Sequence, residues 1–222
     1  MDATAIYIAL GTFDAFAVFV LILKLYRLPL REYMRELVIM SVFIAIVSFF
    51  MRLVLHIPAM DLPLQLILFT LFIRFVMRVK LFYSAIITGA GFGAYLIIQV
   101  CIYAVLSTMG FMDKQLVIES TGIEVNIVQA ISITLAYVIG FALQKFNFGF
   151  SFIIRPPHDF SVKEDYSTSR NKALLFWSLA TLVVLSVSLT ALLYMKIEYV
   201  TPLLLISFGA LYFQSRRRDI ED

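Results

Sequence analysis

Five polar side chains stand inside stretches that are otherwise apolar: Asp14, Arg52, Gln65, Gln99 and Gln129. A charge at bilayer depth costs roughly 2.5–3.5 kcal/mol on insertion scales and more in simulations, so a carboxylate or guanidinium there turns inward, pairs, or lines a pathway. Asp14 (GTFDAFAVF) and Arg52 (SFFMRLVL) have opposite signs and lie in successive apolar runs, which makes them natural partners. Such a pair either binds and gates or fixes the register of two helices. The amides add hydrogen-bonding capacity for a ligand, and serve interhelical bonds worth about 0.6–2 kcal/mol a contact equally well. Arg74 lies close enough to the end of its run to snorkel to the interface.

Other chemistry is excluded or thinly supported. The single cysteine, Cys101, rules out an intramolecular disulfide and a multi-cysteine metal site, and its apolar surroundings suit a small packing residue. His56 and Cys101 invite a nucleophile reading, but a Cys/His dyad needs an activated thiolate and an orienting third group. No HExxH, GxSxG, paired intramembrane aspartates or EF-hand loop occurs. Gly89, Gly91 and Gly93 in TGAGFGAY follow no strand, so a dinucleotide fingerprint is excluded by context. The Gly89/Gly93 spacing instead permits close helix approach, within the bundle or at a dimer face. His158 follows Pro157 in a polar loop. No catalytic residue, cofactor or metal is expected.

The elements that must position these residues are membrane helices. Hydrophobic residues make up 62 % of the 222, charged residues only 15 %, and mean hydropathy is +0.94, a composition that a water-soluble core of this size cannot hide. The net charge of +3 has a topological origin, so no nucleic-acid partner is expected. Spans need about 20 mostly apolar residues, and seven stretches meet that length: about 4–26, 37–56, 62–79, 81–108, 124–145, 173–194 and 197–214. Lys24, Arg27, Arg31 and Arg35 fill the first loop. Arg74, Arg78 and Lys80 flank the third, Lys145 to Lys172 crowd the fifth, and Arg216–Arg218 form the tail. The alternate loops hold Asp61, Asp113, Glu119, Glu124 and Glu198 against only Lys114 and Lys196. The positive-inside rule then predicts an all-α membrane protein of seven transmembrane helices, N-terminus outside and C-terminus cytoplasmic. Asp2 and the absence of a small-residue cleavage site lead to the expectation that the first run is retained.

The chain divides into a five-span unit (1–146), a cytoplasmic loop (147–172) and a two-span unit (173–222). Gly110–Gly122 reads as an amphipathic segment on the outer surface. The aromatic run Phe146, Phe148, Phe150, Phe152 suits the headgroup region and ends at Pro156 and Pro157. With this orientation Gln65, Gln129 and Asn126 share the outer half with Arg52, and Gln99 lies near mid-depth. An outward-facing polar pocket of Asp14, Arg52, Gln65, Gln99 and Gln129 is the candidate ligand site.

An acidic first span (GTFDAFAVFVLILKLYRLPL), a basic amphipathic loop (LREYMRELVIM) and an arginine closing the second span (SFFMRLVL) are similar to polytopic membrane proteins of Firmicutes. These in turn resemble the membrane sensor regions of accessory-gene-regulator-type peptide-pheromone histidine kinases. The resemblance covers the layout of the spans and, locally, about the first 55 residues. It implies an input module that senses an extracellular small ligand or peptide, without the kinase dimerisation helices and ATP-binding domain. The output then runs through a cytoplasmic or membrane signalling partner.

The expected function is a non-enzymatic sensor-like or regulatory module of the cell membrane. The rival is a small-molecule or ion transporter, or a transporter subunit, in which Asp14 carries a proton or cation and the glycine-rich fourth span moves.

Overall fold

The computed structural model describes residues 3–111, 122–151 and 197–221. Among the described residues the secondary structure is entirely helical: α1 (Ala3–Leu25), α2 (Met34–Phe49) running into a π-helical turn (Phe50–Val54), α3 (Pro58–Phe75), α4 (Leu81–Thr108), α5 (Ile123–Lys145) and α6 (Ile197–Glu221). Five of these segments are long and apolar enough to cross a membrane: Thr4–Leu25, Met34–Val54, Pro58–Phe75, Tyr83–Thr108 and Ile123–Lys145. The sixth apolar stretch, 173–194, lies outside the described residues, as do 152–172 and most of Gly110–Gly122. Over the seventh stretch the helix α6 continues past 214 to Glu221, so Arg216–Arg218 are helical.

The third helix also departs from its expected limits, starting at Pro58 and ending at Phe75. Proline is pre-organised for the first turn of a helix, where its missing N–H is not needed. Asp61, expected in a loop, therefore lies inside the helix.

α1 is the central helix. Its residues Ala17, Phe19, Ile22 and Leu23 are fully buried, as is Tyr26 just beyond its end, and α2, α4 and α5 all pack on it. Small residues let them come close, as membrane helix pairs favour. A Cβ on Gly91 of α4 would stand 2.6 Å from the Cα of Ile22, and one on Gly140 of α5 would stand 2.5 Å from a Val20 methyl. Phe19 then joins α1 to α3 and α4 through an aromatic stack: its ring centroid is 4.7 Å from Phe69 and 4.8 Å from Phe72, and Phe69 is 5.7 Å from Phe92. Large apolar side chains elsewhere point outward, among them Ile39, Phe43, Phe75, Val138 and Phe141, as a lipid-facing bundle requires.

Several helices end on a left-handed residue that is not glycine: Arg27, His56, Arg78 and Asn147 have φ between 52° and 55°. At the end of α1 the N–H of Leu28 bonds to Leu23 O (2.8 Å) and that of Arg27 to Lys24 O (3.3 Å), the paired bonds of a Schellman stop. The end of α5 repeats this with Phe148 to Leu143 and Asn147 to Gln144.

These two ends lock together. Gly149 (φ +130°) brings its backbone onto Leu25 O, the N–H of Phe150 donates to the same oxygen at 2.8 Å, and the Arg27 guanidinium donates to Asn147 O. Tyr26 is fully buried beneath, its ring 5.5 Å from Phe150 and its hydroxyl 2.7 Å from Ser215 Oγ on α6. Phe150 is therefore part of the core, whereas Phe146 and Phe148 are exposed.

Candidate functional site

Two polar clusters lie away from the Tyr26 lock, one at the N-terminal end of α1 and one at its middle. The first is built on Asp61. Starting α3 at Pro58 puts Asp61 in the first turn, where a carboxylate meets the positive end of the helix dipole. Its side chain has no exposure. Oδ2 accepts the guanidinium Nε–H of Arg52 and the Ser48 hydroxyl at 2.9 Å, and Oδ1 accepts the amide of Gln65 at 3.0 Å. Asp61 and Gln65 are one turn apart and share a helix face. Ser48 has one proton and gives it to Asp61, so Tyr7, 3.2 Å away, is the donor in their bond. The chain Tyr7–Ser48–Asp61–Arg52 ties α1, α2, the π turn and α3 together.

Arg52 belongs to the π turn, and its backbone explains its aim. The Leu55 N–H bonds to Phe50 O and that of Ile57 to Met51 O, both at 2.8 Å, so the helix widens before His56 ends it in the left-handed region. The wider turn presents the guanidinium across to α3.

The second cluster is built on Asp14, midway along α1. Tyr95 of α4 donates its hydroxyl to Oδ1, Gln99 of α4 lies 3.5 Å from the same oxygen, and Gln129 of α5 is near enough to the carboxylate to act on it. Tyr137 of α5 donates to the carbonyl of Phe13 at 3.3 Å, and its ring is 6.3 Å from Phe16. Tyr95 is buried, while Asp14, Gln99, Gln129 and Tyr137 are half-buried.

The five candidate residues thus fall into two groups, Arg52 with Gln65 and Asp14 with Gln99 and Gln129. The anticipated Asp14–Arg52 pair is replaced by Arg52–Asp61. The two charges act on each other through space, but the guanidinium contacts the closer carboxylate, nine residues ahead across one turn. Asp61, Ser48, Tyr7, Tyr95 and Tyr137 escaped the sequence reading. The signal for Asp61 was present in PAMDLPLQ: a helix-starting proline, then an acid and an amide at i and i+4.

The remaining candidates stay apart from both clusters. Cys101 is free and exposed on the flank of α4, not packed in the core. His56 is exposed, and no hydrogen bond joins it to Cys101 among the described residues. Arg74 caps the end of α3 by donating to Val79 O at 3.1 Å. Among the described residues no group of His, Cys, Asp and Glu is placed to hold a metal ion.

The chain matches no family model, no curated protein and no solved structure.

Proposed function

We propose that this chain is a non-enzymatic sensor or regulatory module of the cell membrane, with seven spans, its N-terminus outside and its C-terminus in the cytoplasm. The two polar clusters, one in the outer half and one near mid-depth, form its ligand-reading face, and a cytoplasmic or membrane partner carries the output. The layout shared with pheromone-kinase sensor regions makes a kinase or another signalling protein the expected partner.

The observation that carries this reading is the position of α1. One helix contributes Tyr7 to the first cluster and Asp14 to the second, and its far end holds Tyr26 against Ser215 of α6. Along the way it is clamped by Gly91 and Gly140 with no slack, so a shift or rotation at one end is felt at the other. A ligand that favours one position of α1 over another would shift the population of the α6 end, which is what a signalling module requires.

Photocrosslinkers at Arg216 and Arg217, and in the segment 146–151, test the reading in native membranes. Recovery of a kinase, an ATPase or a transcription regulator is the expected result. Recovery of this chain alone, together with solute flux in proteoliposomes, would instead make it a transporter.

A further inference from the structure

The two clusters differ in how their charge is balanced. In the first, the carboxylate of Asp61 is met directly by Arg52. In the second, Asp14 meets only neutral groups among the described residues, accepting from Tyr95 and Gln99 with Gln129 nearby, and Arg52 and Asp61 act on it through space. Among the described residues Arg52 therefore balances Asp61 and not Asp14. An ionised carboxylate offers about four acceptor positions, and these neutral neighbours leave room for another donor.

The surroundings of Asp14 suit a positive group. The phenols of Tyr95 and Tyr137 and the ring of Phe16 lie on the three helices that meet there, and aromatic side chains attract ammonium ions. No arginine or lysine contacts the carboxylate among the described residues to compete for it. Asp14 is half-buried, so part of its surface is left uncovered by the described residues.

We infer that the ligand read by this module carries an ammonium group, which docks on Asp14 between Tyr95 and Tyr137. The inference rests on the sensor reading and specifies its ligand class. The ammonium group belongs either to a small amine or to the N-terminus of a peptide.

Thermal unfolding of the full chain in lipid nanodiscs tests it, because a ligand that binds only the folded state raises its stability by mass action. The probes are ethanolamine for a small amine, glycinamide for a peptide N-terminus, ethylene glycol as a neutral control, and sodium chloride at equal ionic strength. A saturable rise with either amine, absent with both controls, is expected, and the stronger of the two amines identifies the source. The apparent affinity should fall at least tenfold in Asp14→Asn, less in Tyr137→Phe, and be kept in Asp14→Glu. Equal shifts from sodium chloride, no amine effect on the wild type, or an unchanged affinity in a folded Asp14→Asn would overturn the inference. Partner capture by the crosslinkers at α6 is scored separately, so the sensor reading survives or fails on its own.

Discussion

Arg52 donates through Nε to Oδ2 of Asp61, nine residues ahead and fully buried, and this is the one ion pair among the described residues. It spans the turn between the π segment and α3, so each partner fixes the other's helix end. Arg52 keeps about a quarter of its side chain exposed (26 %), whereas Asp61 keeps none. The two partners are consequently not equivalent.

Removing the arginine strands a buried carboxylate. Arg52→Ala should lower stability toward the lower end of the ~3–5 kcal/mol typical of breaking a buried pair, since its own exposure screens part of the attraction. Asp61→Asn should cost less, because the long arginine side chain reaches the interface by itself. Thermal unfolding in nanodiscs gives the order, and the reverse order would mean that Asp61 is not the desolvated partner.

The helix crossings give a second comparison. Gly91→Ala forces a methyl onto the Ile22 backbone, 2.6 Å from its Cα, and backbone does not step aside. Gly140→Ala meets a Val20 methyl, which has more freedom to yield. Overpacking costs about 1–3 kcal/mol, and Gly91→Ala should lie at or above the upper end while Gly140→Ala lies below it. Equal losses in melting temperature would contradict the crossing geometry.

At the far end, the Tyr26–Ser215 bond links residues 189 positions apart. Tyr26→Phe and Ser215→Ala should each destabilise, and the double variant should show a coupling of about 0.5–1.5 kcal/mol. Additive effects in the cycle would mean that the two hydroxyls do not bond. If α1 carries the signal, the same variants should also weaken partner capture at α6 while leaving amine affinity intact.

The proposed orientation has its own test. In a Cys101→Ala background, a cysteine at Gly110 should react with an impermeant maleimide on intact cells, and one at Asn147 only after permeabilisation. Both positions reacting on intact cells would reverse or break the alternation inferred from Lys and Arg placement.

Much of this was available before any coordinates. The length and hydropathy of the runs gave the described helices, because an apolar stretch in lipid has little choice but to satisfy its backbone internally. The charge cost in lipid likewise marked Asp14 and Arg52, and the amides beside them. Their pairing was not legible, because the rule that buried charges find partners does not say which. That choice depended on Pro58 starting α3 early enough to bring Asp61 into the helix, and on a π turn that aims Arg52 across it. The glycine that matters most at the α1 crossing, Gly91, was likewise passed over for Gly89 and Gly93, since periodicity fixes a face only once the neighbouring helix is known.

The sequence by itself therefore determined the apolar helices and the polar residues set within them, because hydropathy and charge act on each segment locally. Only the tertiary structure decided who meets whom. It divided the five candidates into an ion-paired cluster on Asp61 and one on Asp14 that meets only neutral groups among the described residues, and it tied the turn after α1 to α6 through Tyr26 and Ser215. Those outcomes depend on helix rotation and close approach, which are set by contacts between segments far apart in the chain.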